Sequence, residues 1–205
     1  MPHRYIKKIL SANVYDVAVE TPVDLASSLS KRLANNILIK REDLQPIFSF
    51  KIRGAYNCIS KLTEAQRACG VVCASAGNHA QGVAMSSQYL GIDATIVMPK
   101  STPDIKINSV KALGAKVILH GDSLAQAFAY SRSLMADLGL VYIHPFDDEH
   151  VIAGQGTVAV ELLRQIQGDI DAVFVPVGGG GLIAGMSVYI KYLRPDIRII
   201  GVEPE

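Results

Sequence analysis

Three short stretches of this 205-residue chain set reactive or strongly polar groups in settings that invite chemistry. The first is "FSFKIRGA", residues 48–55, with Lys51 between Phe50 and Ile52. Ser49 can cap a helix that begins near Lys51, which puts the amine in the first turn at the positive end of the helix dipole. A positive field and the apolar neighbours Phe48 and Phe50 both disfavour the ammonium form, so the pKa of Lys51 should fall. A neutral amine is the nucleophile that condenses with a carbonyl group. The same residues would also suit a lysine whose stem runs past two core phenylalanines to water.

The second stretch is "CASAGNHAQG", residues 73–82. A strand ends, Gly77 permits a tight turn, and Ser75 or Asn78 opens a helix. Several main-chain N–H groups and a helix N-terminus then converge on a space of carboxylate size. An ordinary strand-to-helix turn with a capping Ser would read the same way. His79 has no second His or carboxylate at metal-binding spacing, so the sequence implies no metal site. The third stretch is "VPVGGGGLIAG", residues 175–185, where four glycines follow a strand and open a helix. So much glycine carries an entropic cost, and a backbone that must approach something closely justifies it. The expected guest is a phosphate held by main-chain N–H groups. Gly179, Gly181 and Ala184 also satisfy G-x-G-x-x-A, and Glu203 ends the next strand where a ribose-binding acid would stand, so a dinucleotide site competes.

The elements that must position these loops follow from hydrophobic patterning. Short β-branched runs at 36–40, 70–74, 94–98, 115–119, 172–177 and 197–202, with a weaker one at 140–144, read as buried parallel strands. Helical patterns fill 51–62, 79–90, 104–113, 123–138, 149–167 and 181–193. Strand–helix alternation predicts an α/β fold with a parallel sheet covered by helices, in which ligands bind beyond the carboxyl ends of the strands. All three loops lie at such ends.

Composition narrows the function further. With 20 basic and 19 acidic residues the net charge is +1, which argues against a nucleic-acid or anionic-membrane surface. No apolar run is long enough to span a bilayer, and "HRYIKKIL" runs into "SANVYD" rather than an apolar signal core. Cys58, Cys69 and Cys73 match no zinc spacing and read as reduced thiols of a cytoplasmic protein.

A lysine amine, a carboxylate-binding loop and a phosphate cradle are together what pyridoxal 5'-phosphate and an amino-acid substrate require. In this order and spacing, "SFKIRGA" (49–55), "SAGNHAQG" (75–82) and "GGGGL" (178–182) resemble the fold-type II pyridoxal-phosphate enzymes, and among them the threonine dehydratase (threonine ammonia-lyase) group. "KREDLQP" (40–46) and "VIAGQGT" (151–157) extend that resemblance over nearly the whole chain.

The resemblance implies two lobes: residues 1–72 and 149–205 in a larger one, and 73–148 in a smaller, mobile one. It implies Lys51 as covalent cofactor anchor and α-proton base, Phe50 packed on the cofactor ring, and Asn78 bonded to its ring oxygen. Gly178, Gly179, Gly180, Gly181 and Leu182 would hold the phosphate. Ser75, Ala76, Gly77, Asn78 and His79 would hold the substrate carboxylate, mostly through N–H groups. The implied reaction is deamination of L-threonine to 2-oxobutanoate and ammonia, or of L-serine to pyruvate, in isoleucine biosynthesis or threonine catabolism, by a homo-oligomer.

The family's pyridine-nitrogen partner, usually a Ser, lies well downstream of the glycine loop, whereas this sequence stops after "IRIIGVEPE". The expectation is therefore a truncated large lobe with an exposed strand edge. Three alternatives stay open: a serine or threonine racemase of the same fold type, a nicotinamide-dinucleotide oxidoreductase using Gly179, Gly181 and Glu203, and a non-catalytic remnant.

Overall fold

The computed structural model describes residues 2–204. Its centre is a four-stranded parallel sheet of β3 (Val71–Ala74), β4 (Ala94–Met98), β5 (Lys116–Leu119) and β6 (Val141–Tyr142), in the order β5-β4-β3-β6. Side chains alternate across the pleat, so each strand feeds two cores. Val71, Cys73, Ile96 and Met98 pack against α3 (Lys51–Ile59), α5 (Asn78–Leu90) and α6 (Asp104–Ala112). Val72, Ala74 and Val97 face α7 (Leu124–Leu138) through Ala127, Tyr130 and Leu134. The strand order reverses at β3, with β4 on one side and β6 on the other. Such a switch opens a crevice beyond the strand ends, and the loops after β3 and β6 flank it.

A second, two-stranded parallel sheet joins β7 (Ala172–Pro176) to β8 (Arg198–Val202). Val173, Val175 and Ile197 bury against α8 (Glu149–Gln165) and α9 (Gly181–Leu193), while Phe174 on the other face is 67% exposed. The parallel strands thus divide between two sheets.

One strand assignment needs correction. The run 36–40 is not a buried parallel strand. Its end forms β2 (Leu38–Lys40), which pairs antiparallel with β1 (Val23–Leu25), and Leu38 and Ile39 are exposed. Between them lies α2 (Ser27–Leu33), none of whose residues is buried. The sequence reading also missed α1 (Pro2–Leu10), which sinks Ile6 and Ile9 into the core, and α4 (Glu64–Cys69), closed by a Thr63/Gln66 capping box.

Helices α3, α8 and α9 approach closely because glycines face one another. A Cβ on Gly154 would lie 2.5 Å from the Arg53 carbonyl oxygen, and one on Gly185 would collide with the Ile152 carbonyl. A buried charge cluster fixes the same helices. Arg53, fully buried on α3, donates to Glu161 of α8 at 2.6 and 3.0 Å and to Glu42 at 2.8 Å through each of two nitrogens. Lys40 and Tyr15 complete the shell of Glu161 at 2.6 and 2.8 Å. Burial alone would raise the Glu161 carboxyl, but Arg53 and Lys40 more than offset it and hold it below its usual range. Two cations and two carboxylates balance, which is the condition for burying them.

Candidate active site

Lys51 is the first residue of α3, and its backbone N–H donates to Ser49 Oγ at 3.3 Å. Its Nζ donates to the carbonyl oxygen of Pro145 at 2.7 Å and lies 5.5 Å from the centre of the Phe50 ring. No carboxylate pairs with it among the described residues. Burial pushes the amine below its ordinary 10.5. Phe50 is half-buried and packs against the α8–α9 core. Phe48 behaves otherwise. It is 78% exposed, with φ of 56°, so it is no core residue and Phe50 alone lies beside the lysine.

The loop after β3 delivers a helix start to the same region. Gly82 of α5 makes this possible: a Cβ there would lie 3.2 Å from the carbonyl oxygen of Lys51, so α5 crosses directly over the first turn of α3. Ser75 Oγ accepts from Gly77 N–H at 3.2 Å, and Gly77 caps α5 without a side-chain hydrogen bond. The N–H groups of Ala76, Asn78 and His79 have no acceptor among the described residues. Ser75, Ala76 and Gly77 are half-buried and Asn78 is exposed. His79 points inward. Its Nε2 donates to the Ile143 carbonyl at 3.0 Å, and burial lowers its pKa to about 4 despite that bond. Its imidazole is therefore a neutral structural group, and only its main-chain N–H faces the loop.

The glycine loop supplies the second open helix start. Gly180, with φ of 85°, precedes α9 with no side-chain cap, whereas α4, α7 and α8 are capped by Thr63, Ser123 and Asp148. The N–H groups from Gly178 to Ile183 find no acceptor among the described residues. The four glycines divide in role. At Gly178 and Gly180 a Cβ would meet nothing within 4 Å, which leaves open space for a guest. At Gly179 it would run into the Phe146 ring, and at Gly181 it would lie 2.8 Å from the Phe146 carbonyl oxygen. Phe146 thus requires glycine at 179 and 181, the left-handed backbone favours it at 180, and the space beside Gly178 and Gly180 is open. The Leu182 side chain is buried in the α8–α9 core, so only its N–H is available.

Sequence reasoning missed the turn between β6 and α8, residues 143–148, which it used only as a boundary. Ile143 and Pro145 contribute carbonyls to His79 and Lys51, and Phe146 backs the glycine loop. Main-chain acceptors carry no side-chain signal, although "HPF" after a strand end was a visible clue. Among the described residues, no group of three or more His, Cys, Asp or Glu could hold a metal ion. No described helix is long and apolar enough to cross a membrane.

These features fit pyridoxal phosphate: an amine free of any carboxylate, a cradle of unpaired N–H groups beside open space, and a second helix start for a carboxylate. The comparisons with known proteins agree. The chain is 59% identical over 202 residues to threonine dehydratase 1, biosynthetic, chloroplastic, of Solanum lycopersicum, covering 98% of this chain and 33% of that protein. It is 53% identical over 206 residues to a biosynthetic L-threonine dehydratase of Burkholderia multivorans, covering 99% of this chain and 41% of that one. Among solved structures, the processed form of threonine deaminase isoform 2 from Solanum lycopersicum superposes with a TM-score of 0.96 at 53% identity, covering 99% of this chain and 56% of that one. Maize serine racemase superposes with a TM-score of 0.93 at 37% identity, covering 98% of this chain and 61% of that one. This chain thus spans between a third and two thirds of the length of these relatives. The model of the family described as "pyridoxal-phosphate dependent enzyme" matches residues 14–205, a span that contains Lys51 and both open helix starts, and the chain belongs to that family.

Proposed function

We propose that the protein to which this sequence belongs deaminates L-threonine to 2-oxobutanoate and ammonia, and L-serine to pyruvate. The observation that carries the reading is Lys51: a half-buried amine, unpaired with any described carboxylate and bonded to the turn that touches both uncapped helix starts. The identities of 53–59% to threonine dehydratases support the choice of substrate.

The N–H groups of Gly178 to Leu182 would hold the cofactor phosphate, aided by the dipole of α9. Phe50 would pack on the ring, and the exposed Asn78 amide would reach its ring oxygen. Bound there, pyridoxal phosphate supplies an electron sink for the pair left when the α-proton departs. The N–H groups of Ala76, Asn78 and His79 would orient the substrate carboxylate. Lys51, whose burial favours loss of its proton, would take the α-proton at Nζ. The β-hydroxyl is lost as water, and water then cleaves the C–N bond, so threonine becomes one 2-oxo acid and one ammonia.

We propose further that residues 73–148 form a smaller lobe able to move against 1–72 and 149–205, closing over substrate and excluding water. A homo-oligomer and a cytoplasmic location are proposals as well. The free thiols of Cys58, Cys69 and Cys73 suit a reducing compartment, and the names of several relatives place those proteins in chloroplasts or mitochondria.

Racemization is the second reading, favoured by the likeness to maize serine racemase. It needs a second proton carrier on the face of the substrate opposite Lys51. The test is a 2-oxo acid and ammonia assay with L-threonine and L-serine, with chiral analysis of the recovered substrate. Equal yields of 2-oxo acid and ammonia support the proposal. Inverted substrate without 2-oxo acid would replace it with the racemase reading.

A further inference from the structure

The turn after β6 touches all three candidate loops, and one side chain folds it. Nδ1 of His144 accepts from the N–H of Asp147 at 2.7 Å and of Phe146 at 3.3 Å. The ring stands edge-on to Phe146, with centroids 4.7 Å apart at 83°, and meets Tyr142 at 6.1 Å. The residues so fixed are those that matter at the site. Pro145 presents the carbonyl that accepts from Lys51 Nζ, and Phe146 fills the space that Gly179 and Gly181 leave open.

We propose that His144 is a positioning residue: its unprotonated Nδ1 folds the 144–148 turn, which seats the Lys51 amine and backs the glycine loop. A ring nitrogen accepts a hydrogen bond only when it carries no proton. Protonation would turn the acceptor of two N–H groups into a third donor facing them, and the turn would open. The charged and titratable groups around His144 are Tyr142 on β6, Asp147 and Asp148 of the turn, Arg132 on α7, Lys51 on α3 and the buried His79 on α5. Burial favours the neutral ring most; Arg132 and Lys51 act in the same direction, and the two aspartates oppose them. The turn is therefore closed near neutrality and opens on acidification below the ordinary histidine range. The functional consequence rests on the proposed cofactor role, whereas the folding of the turn does not.

The experiment combines amide hydrogen exchange with pyridoxal-phosphate affinity, measured by fluorescence titration, for the wild-type chain, His144→Leu and His144→Asn. In His144→Leu the amides of Phe146 and Asp147 should lose protection, and cofactor affinity should fall, each by about tenfold for the lost acceptor. In His144→Asn, whose Oδ1 can replace Nδ1, both should stay within about threefold of wild type, and the acid-side loss of protection should vanish. Unchanged amides and affinity in His144→Leu would overturn the proposal, as would an Asn variant that behaves like the Leu variant. If wild type takes up no cofactor but the two amides still respond selectively, the cofactor reading falls and the role of His144 in the turn stands. If His144→Leu does not fold, the wild-type Asp147 amide decides: protection that stays unchanged from about pH 8 down to the lowest pH at which the chain remains folded would overturn the proposal.

Discussion

The amine of Lys51 rests on the main-chain carbonyl of Pro145, 94 positions away along the chain and 2.7 Å away in space. A carbonyl holds the amine in place without supplying the negative charge that would fix its proton. Burial is thus left free to lower the pKa of Lys51.

Lys51 should therefore titrate below the other lysines. Reductive 13C-methylation and an NMR pH titration of the cofactor-free chain would show one amine moving at lower pH than the rest, absent in Lys51→Met. An amine at Lys51 that titrates with the exposed lysines would refute the environment described.

Gly179 is small for the sake of Phe146. Gly179→Ala should destabilise the chain by about 1–3 kcal/mol through overpacking. Phe146→Ala in the same chain should relieve most of that cost, giving a coupling of about 1–2 kcal/mol in a denaturant double-mutant cycle. Additive effects would mean the two residues do not meet as described.

Arg53 is the charge most fully enclosed by partners. Arg53→Met leaves Glu161 and Glu42 without it and should cost about 3–5 kcal/mol of unfolding free energy. Chemical denaturation reads this directly; a change under about 1 kcal/mol would contradict the buried network.

Acid should weaken the fold before the carboxylates titrate. His79 has a folded pKa of about 4 against an ordinary 6.5, so the folded state favours the neutral ring. Its contribution is complete above pH 6.5 and declines as the pH falls toward 4, because only the unfolded chain then binds the proton. The loss approaches about 3 kcal/mol. Burial lowers His144 and His150 as well, and they add in the same direction. Unfolding midpoints measured across this range should fall with pH, and His79→Gln, which keeps a donor for the Ile143 carbonyl, should flatten the slope. A flat wild-type profile would contradict the buried neutral imidazole.

Patterning revealed most of the architecture because the parallel strands are short β-branched runs, of which the central two, Val71–Ala74 and Ala94–Met98, are buried along nearly their whole length. It failed at 36–40, where Ile37, Leu38 and Ile39 read as a core strand, because β2 pairs at the surface and three apolar residues do not distinguish an exposed ribbon from a core strand. The lysine and the two helix starts were legible because their residue types are unusual for their settings. Two things were not. The division of the four glycines between Phe146 and open space depends on a partner more than thirty residues upstream of the loop. The Pro145 and Ile143 acceptors are main-chain atoms, which every residue has. Phe48 read as a core residue, but a backbone in the left-handed region turns it outward.

The most direct test is borohydride reduction of the purified chain after incubation with pyridoxal phosphate, followed by peptide mass mapping. The account predicts a visible absorbance band before reduction and a single stable adduct on Lys51, with neither in Lys51→Ala. A folded chain that carries no adduct, or carries it on another lysine, would contradict the placement of the cofactor.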